Sequence, residues 1–253
     1  MIEPAACEGC RNPAHDALDF SFAFQPIVNA QTRSVFSYEA LVRGPAGESA
    51  YSVLALVNDD NQYRFDQECR VRALTLATQL GVQAHLNINF LPNAIYEPEQ
   101  CIRTTLAAAA KLSFPISRIV FEVTEGQSIA DHRKLVDVFR AYRRLGFTTA
   151  IDDFGAGYAG LGLLANFQPD IVKIDMALIR DVDHDPTKQA IVRSIVGLCG
   201  DLGISLIAEG VETPGEYVWL RRAGIELIQG YLFAKPGFEC LPEVAWQPNL
   251  SPA

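Results

Sequence analysis

The sequence has no apolar run of about 18 residues or more, the length a membrane-spanning helix needs, although 49% of its 253 residues are apolar. Its first residues include acids and cysteines where a signal peptide needs a basic and then an apolar stretch. These absences predict a soluble, cytoplasmic protein with no membrane partner. Positive charge is scarce too: 21 Lys and Arg stand against 30 Asp and Glu, a formal net charge of -9. Polymeric nucleic acid is gripped through clustered cations that neutralise its phosphates, so DNA and RNA are not expected partners. A small anionic substrate is compatible with this charge where bound cations reverse the local field of the acids. Of six cysteines only Cys7 and Cys10 lie close together, while Cys69, Cys101, Cys199 and Cys240 are scattered, which excludes a disulfide framework. Cys7, Cys10 and His15 offer three zinc ligands, but a closed site needs a fourth and none is identifiable. A reduced tail is the plainer reading.

What is present is a rhythm. Short apolar, β-branched runs recur at 21–29, 35–42, 85–90, 119–124, 148–152, 171–176, 205–209 and 227–232, each bounded by turn residues as strands are. Between most of them lie helical patterns: Cys69, Ala73, Leu76 and Leu80; Leu135, Phe139, Tyr142 and Leu145; Ile191, Ile195, Leu198 and Leu202. Gly81, Gly146, Gly203 and Gly224 each follow a helical pattern and precede a strand, as a C-terminal cap would. Alternation of strand and helix predicts parallel pairing with right-handed crossovers, and eight strands in this length fit a closed barrel. Only NAQTRS, residues 29–34, separates the first two runs, too little for a parallel crossover. The expected fold class is therefore α/β, a (β/α)8 TIM-like barrel with an antiparallel first strand. An open doubly wound sheet is the competing architecture. No linker or low-complexity tract interrupts the chain, so one barrel is expected over 19–245, between a Cys-containing tail, 1–18, and a C-terminal tail, 246–253.

The C-terminal ends of these runs carry, in order, Glu39, Asn87, Glu122 with Glu125, Asp152 with Asp153, Lys173 with Asp175, Glu209 with Glu212, and Gln229. In a barrel such ends converge on one face, where active sites of this architecture are built. Glu39, Asn87, Glu122 and Asp152 lie inside the apolar stretches YEALV, HLNIN, VFEVT and AIDDF, and desolvated acids there need compensation. Lys173 alone cannot neutralise so many carboxylates, whereas a pair of divalent ions sharing oxygen ligands can. Asp152 and Asp153 are accordingly read as gripping metal. All four histidines lie elsewhere, and an oxygen-only donor set favours hard ions such as Mg²⁺ or Mn²⁺ over zinc. Two such ions activate water and stabilise both oxygens of an in-line displacement at phosphorus. A phosphodiester hydrolase is the chemistry this predicts.

YEALVRG at 38–44 strongly resembles the signature of EAL-domain cyclic di-GMP phosphodiesterases. FQPIV at 24–28, LNIN at 86–89, FEVTE at 121–125, DDFGAGY at 152–158, VKID at 172–175, AEGVE at 208–212 and QGYLF at 229–233 look like further blocks of that family, in family order. A lone tripeptide would carry no signal, but eight ordered blocks on predicted strand ends are specific. The resemblance implies a (β/α)8 barrel with an antiparallel first strand. It also implies hydrolysis of cyclic di-GMP, a bacterial second messenger, to linear pGpG with two Mg²⁺ or Mn²⁺ ions per active site, and inhibition by Ca²⁺. Carried over position by position, it implies that Glu39, Asn87, Glu122 and Asp152 bind one metal and that Asp152 bridges to a second held by Asp153. Glu209 matches a position that is either a ligand of the second metal or the general base. Lys173 would orient the attacking water and offset transition-state charge, with Gln229 near that water. Arg43 would contact a substrate phosphate, while Gln25 (before Pro26), Leu41, Asp175 and Glu212 are supporting substrate positions. Glu125 resembles the glutamate that holds the glycine-rich loop FGAGYAG, 154–160, which in the family couples dimer contacts to metal binding. A homodimer and a regulatory protein partner are expected on this ground alone. Ala159 and Gly160 stand where many relatives have serines, which bears on loop stiffness, and Asn89 stands where relatives usually carry serine.

Plainer readings stand beside these. Arg43 could form a surface salt bridge, Asn89 could be a spare rim amide, and Tyr231 and Phe233 are expected in ordinary core packing rather than stacked on substrate. Glu48, Asp59, Asp60 and the DVDHD run at 181–185 read as solvated loop acids. The alternative functions are a non-catalytic cyclic di-GMP receptor acting through a protein partner, and an interaction module that ignores the nucleotide. Receptors of that kind usually lack metal ligands, and this chain lacks none.

Overall fold

The structure, a computed structural model, describes residues 18–95, 97–124, 132–157 and 160–246. Cys7, Cys10, His15, Glu125, Tyr158 and Ala159 lie outside the described residues, as do 1–17 and 247–253. A tight turn decides the topology. Asn29 accepts backbone hydrogen bonds from Gln31 and Thr32, both at 2.9 Å, and Arg33 takes a positive φ of 51°. The chain thereby reverses between β1 (Ser21–Asn29) and β2 (Ser34–Arg43), which pair antiparallel. Next come β3 (His85–Asn89), β4 (Ile119–Thr124), β5 (Thr148–Phe154), β6 (Ile171–Ile174), β7 (Ser205–Ala208) and β8 (Leu227–Gln229). From β2 to β8 each strand is parallel to its neighbour, and β8 returns antiparallel to β1. The sheet closes on itself with one reversed strand, so the open-sheet alternative is excluded. A short β9 (Gly237–Phe238) adds to Ala23 and Phe24 of β1.

Parallel neighbours require crossovers, and helices such as Gln62–Gln79, His132–Arg144 and Pro186–Leu202 supply them. The four glycines expected to end helices all adopt positive φ: Gly81 75°, Gly146 92°, Gly203 69° and Gly224 94°. Cys69 and Ala73 are buried as their spacing predicts, and so are Leu135, Phe139 and Tyr142. Helix Pro186–Leu202 departs from the expectation. Its buried residues are Val192, Ile195 and Cys199, whereas Ile191 and Leu202 are 41% and 39% exposed. The helix carries two overlapping apolar stripes; the second, with Ile191 and Leu198, borders an open groove shared with Leu161 and Leu178. Asp185, expected to be a solvated loop acid, caps this helix by accepting from Thr187 and Lys188 N–H at 2.8 and 3.2 Å. Among the described residues no helix is long and apolar enough to cross a membrane.

The barrel interior follows from the two-residue period of a strand. Ile27, Val120, Ala150, Ile171, Ile207 and Leu227 form an apolar plug. Two residues nearer the C-terminal rim, on the same faces, stand Gln25, Glu122, Asp152, Lys173, Glu209 and Gln229. Register adds the rest, because Gln25 lies opposite Glu39 and Glu39 opposite Asn87. An apolar floor therefore carries a polar layer at the end where barrel enzymes do their chemistry.

Behind the barrel wall, Arg70 of helix Gln62–Gln79 is fully buried. It pairs with Asp66 at 2.8 Å, donates to the Tyr142 hydroxyl at 2.8 Å and lies 4.9 Å from the centre of the Phe121 ring. Asp66 accepts the Leu91 N–H at 2.9 Å, which ties the helix to the segment leaving β3.

Candidate metal centre

Lys173 organises the polar layer. From a fully buried position, its Nζ lies 2.8 Å from Glu209 Oε1, 3.0 Å from Asp152 Oδ1, and 3.4 Å from both Glu39 Oε2 and Glu122 Oε2. Amides hold the outer edge. Gln229 Nε2 donates to Glu39 Oε2 at 2.7 Å and to Gln25 Oε1 at 3.2 Å, Gln25 donates to the Ala234 carbonyl at 3.1 Å, and Asn89 donates to Glu39 Oε1 at 3.2 Å. Asn87 Nδ2 donates to Glu122 Oε1. Asn89 is thus more than a spare amide, since it positions Glu39.

Strand alternation should send Asp152 and Asp153 to opposite faces, yet both line one cleft of about 410 Å³. The backbone explains it: Asp153 has a φ of 53°, a left-handed conformation uncommon for a residue with a side chain, and the β5–β6 register shifts at this point. The Asp152 carboxylate accepts the Asp153 N–H at 2.9 Å, fixing the turn.

Two carboxylate triads result, Glu39 with Glu122 and Asp152, and Asp152 with Asp153 and Glu209, each with ligand oxygens within 4.8 Å of one another. Asp152 belongs to both. Asn87 Oδ1 is buried with no hydrogen-bond partner, beside a carboxylate its own amide nitrogen already serves. A buried acceptor left open among acids is placed to take a cation. The donor set, all oxygen, fits hard divalent ions, and this cluster can hold metal.

The electrostatics point the same way. Burial raises Glu122 to about 8, with Lys173 opposing and Glu39 and Asp152 adding to the rise. Burial also lifts Glu209 well above the carboxylate range against the pull of Lys173, and burial with the neighbouring Asp152 and Asp175 lifts Asp153 to about 6. Burial pushes on Asp152 as well, but Lys173 and the hydrogen bonds to Glu209 and Asp153 outweigh it and leave this carboxyl below its usual value. Burial disfavours the Lys173 ammonium, yet Asp152, Glu122, Glu209 and Glu39 together hold it protonated far above the usual lysine value.

A pH dependence follows. Acids raised in the folded state bind protons more tightly there than in the unfolded chain, so their stabilising effect is complete below about 4 and is lost as pH rises through the folded values. For Asp153 the loss is complete by about 6, and Glu122 carries it on to about 8. Thermal unfolding of the protein in a chelator should therefore show a midpoint that falls from pH 6 to pH 8, and added Mn²⁺, which replaces those protons, should flatten the slope. A rising midpoint in chelator would contradict it.

The remaining predicted residues divide. Asp175, Glu212 and Leu41 line the same cleft as the acids. Asp175 also caps a short helix through the Ala177 N–H at 2.9 Å, and Glu212 accepts from the two terminal guanidinium nitrogens of Arg180 at 2.8 and 3.0 Å. Buried Glu216 braces this rim, accepting from the backbones of Asp181, Glu212 and Thr213 at 3.0, 2.9 and 3.0 Å. Arg43 is not brought to the cleft. It lines the neighbouring apolar cavity with Leu41 and Asn89, and its guanidinium donates to the Val42 carbonyl at 2.7 Å, so the surface salt bridge is not what it forms. Phe233 is core, as expected. Tyr231 is not: it is 54% exposed and stands on the cleft wall. Sequence reasoning also passed over Arg180 and Glu216, whose roles depend on loops meeting across the rim.

Comparison with known proteins agrees with this architecture. A family model described as "EAL domain" matches residues 12–236. The blue light- and temperature-regulated antirepressor BluF of Escherichia coli K12 is 34% identical over 226 residues, 89% of this chain and 56% of its own. Cyclic di-GMP phosphodiesterase PdeR of the same organism is 34% identical over 178 residues, 70% of this chain and 26% of its own. The chain thus spans about half of the first relative and a quarter of the second. Among solved structures, a standalone EAL protein from Vibrio cholerae O395 in a c-di-GMP-bound form is 55% identical with a TM-score of 0.89, covering 94% of this chain and 100% of that one. Klebsiella pneumoniae BlrP1 in a manganese and cyclic di-GMP complex is 40% identical with a TM-score of 0.85, covering 93% of this chain and 59% of that one.

Proposed function

Since this chain belongs to the EAL domain family, we propose that it is a metal-dependent phosphodiesterase that hydrolyses cyclic di-GMP to linear pGpG. The carrying observation is the pair of carboxylate triads sharing Asp152 around a single buried lysine. Glu39, Asn87, Glu122 and Asp152 would hold one Mg²⁺ or Mn²⁺, and Asp152 with Asp153 would hold a second. Bound together, such ions supply an activated water and stabilise the attacking and leaving oxygens. Lys173 faces the same space and offsets the charge that develops at phosphorus, while Gln229 fixes Glu39 and reaches toward the water. Glu209 is a ligand of the second ion or the base that takes the proton from water. Gln25, Leu41, Asp175 and Glu212 line the substrate's path, Arg43 swings from the Val42 carbonyl to a phosphate, and Glu125 steadies the glycine-rich loop. Calcium, with its larger and looser coordination, binds but supports little turnover.

The chain acts as a homodimer in the cytoplasm in this reading. Support comes from the exposed apolar groove where Leu161, 67% exposed, meets Ile191 and the glycines that follow Asp153, a surface that a second copy would cover.

The test is incubation with cyclic di-GMP and Mg²⁺ or Mn²⁺, with pGpG separated by chromatography. Wild type should convert the substrate, and Glu39→Ala should lose at least about a hundredfold in rate. Binding without conversion by wild type would make the protein a receptor, and neither binding nor conversion would make it an interaction module.

A further inference from the structure

Glu216 makes more contacts than its helix requires. In the helix Pro214–Arg222 it completes a capping box, its N–H donating to Thr213 Oγ1 at 3.2 Å and its Oε2 accepting the Thr213 N–H at 3.0 Å. Those two bonds are all that such a cap needs. Glu216 is nevertheless fully buried, its Oε2 also accepts the Glu212 N–H at 2.9 Å, and its Oε1 accepts at 3.0 Å the N–H of Asp181, 35 residues earlier. Burial would raise this carboxyl, yet the hydrogen bonds from Glu212, Asp181 and Thr213 hold it below its usual value, so it takes them as an anion.

Asp181 lies in the loop after β6 and Glu212 in the loop after β7. One carboxylate therefore joins two neighbouring loops of the rim. They meet elsewhere as well: the Glu209 N–H donates to the Ile174 carbonyl at 3.2 Å, and a Cβ on Gly215 would collide with the Asp183 carboxylate. The 2.8 Å contact between Glu209 and Lys173 of β6 crosses the same seam. Glu209 is followed by Gly210, whose φ is 65°, and a glycine imposes little backbone direction of its own. The direction is set where the chain is next held, at Val211 by the Gln229 carbonyl at 3.1 Å and at Glu212 by Glu216.

We infer that Glu216 is a positioning residue: by clasping the loops after β6 and β7 it keeps the Glu209 carboxylate against Lys173 and Asp152. It acts through Glu209, and this rests on the phosphodiesterase reading above for what Glu209 does. Glu216→Gln is the sharp probe, because it turns one of two acceptor oxygens into a donor and leaves one side of the clasp facing an N–H with an NH₂.

A double-mutant cycle decides it. Mn²⁺ affinity, by calorimetry on the metal-free protein, and the rate of cyclic di-GMP hydrolysis at saturating Mn²⁺ are compared for wild type, Glu216→Gln, Glu209→Gln and the double variant. Whichever quantity Glu209→Gln lowers, Glu216→Gln should lower by about tenfold to a hundredfold. The double variant should lie within about threefold of Glu209→Gln alone, since nothing is left to position. Thr213→Ala, which removes the side chain of the cap and spares the bonds to the carboxylate, should lower the melting temperature and leave both quantities within about twofold. Should Glu216→Gln fail to fold, Glu216→Asp, which keeps the charge and draws it back by one methylene, takes its place with the same expectation. Losses that multiply in the double variant, or a Glu216→Gln that behaves as Thr213→Ala does, make Glu216 a helix cap alone and overturn the clasp. So does a Glu209→Gln that lowers neither quantity. If wild type binds Mn²⁺ without hydrolysing the nucleotide, the enzymatic reading falls, and the cycle on Mn²⁺ affinity still decides: an affinity that Glu216→Gln leaves unchanged overturns the clasp. If wild type does neither, both fall.

Discussion

Lys173→Met should lower the turnover of cyclic di-GMP by about 10²–10³-fold or more without weakening Mn²⁺ binding. The two effects part because the lysine is not a ligand. Its ammonium touches Glu39, Glu122, Asp152 and Glu209 at 2.8–3.4 Å from a position closed to water. With all five carboxyls ionised, as metal binding requires, the cluster and its one ammonium would carry four negative charges, which two divalent ions would neutralise. Removing the ammonium makes the site more negative, so metal affinity holds or rises. On the proposed reading the cation that offsets charge at phosphorus is lost, and the closed position leaves no room for a water to replace it. Lys173→Arg should not rescue, because a planar fork cannot occupy a buried niche shaped for a compact point charge. In chelator the methionine variant leaves several buried acids uncompensated, a loss on the order of 3–5 kcal/mol, and Mn²⁺ should return most of the fall in melting temperature. Mn²⁺ titration beside rate measurement is the check. If metal affinity drops as steeply as rate, Lys173 is scaffold and the charge argument is wrong.

How much of this could be read from the chain alone depends on the reach of the physics. Strands were legible because their periodicity is local: Val120 with Glu122, Ala150 with Asp152, Ile171 with Lys173 and Leu227 with Gln229 each repeat apolar then polar at a spacing of two, and eight such strands that close place every polar member in one layer. The hairpin was legible because six residues cannot make a crossover. What escaped is set by distant contacts. Tyr231 reads as core in QGYLF because only the approach of Gly230 to Val211 turns it outward. Ile191 and Val192 are both apolar, and only the neighbouring elements decide which faces inward. That Asp153 shares the cleft with its neighbour depends on a left-handed φ that nothing in AIDDF announces. Arg70 sits in QECRVRAL among charges typical of a solvated helix face, yet it is among the largest fully buried side chains of the protein.

Arg70 carries the second large effect, and it falls on stability. Arg70→Met should destabilise the fold by about 3–5 kcal/mol near pH 8, because it strands the Asp66 carboxylate in the core. The Phe121 and Tyr142 rings lose the cation packed on them, and the Tyr142 hydroxyl loses its donor. Asp66→Asn keeps the Leu91 contact, since the amide oxygen can still accept from Leu91 N–H. It strands the Arg70 guanidinium, however, which cannot shed its charge, so its cost should not fall with pH. Burial already raises the Asp66 carboxyl although Arg70 opposes it, so without the arginine Asp66 takes a proton more readily. Arg70→Met should therefore recover part of its loss between pH 8 and pH 5. Combining it with Asp66→Leu should cost less than the two single changes added together, because an apolar pair leaves no charge behind. Urea unfolding of the singles and the double at both pH values measures this. The consequence reaches the active centre through covalent neighbours: Leu91 follows the strand that carries Asn87 and Asn89, and Phe121 precedes Glu122, so a helix free to shift at Arg70 loosens two of the predicted ligands. A variant as stable as wild type at pH 8 would mean that the aromatic cage, not the ion pair, holds this wall of the barrel.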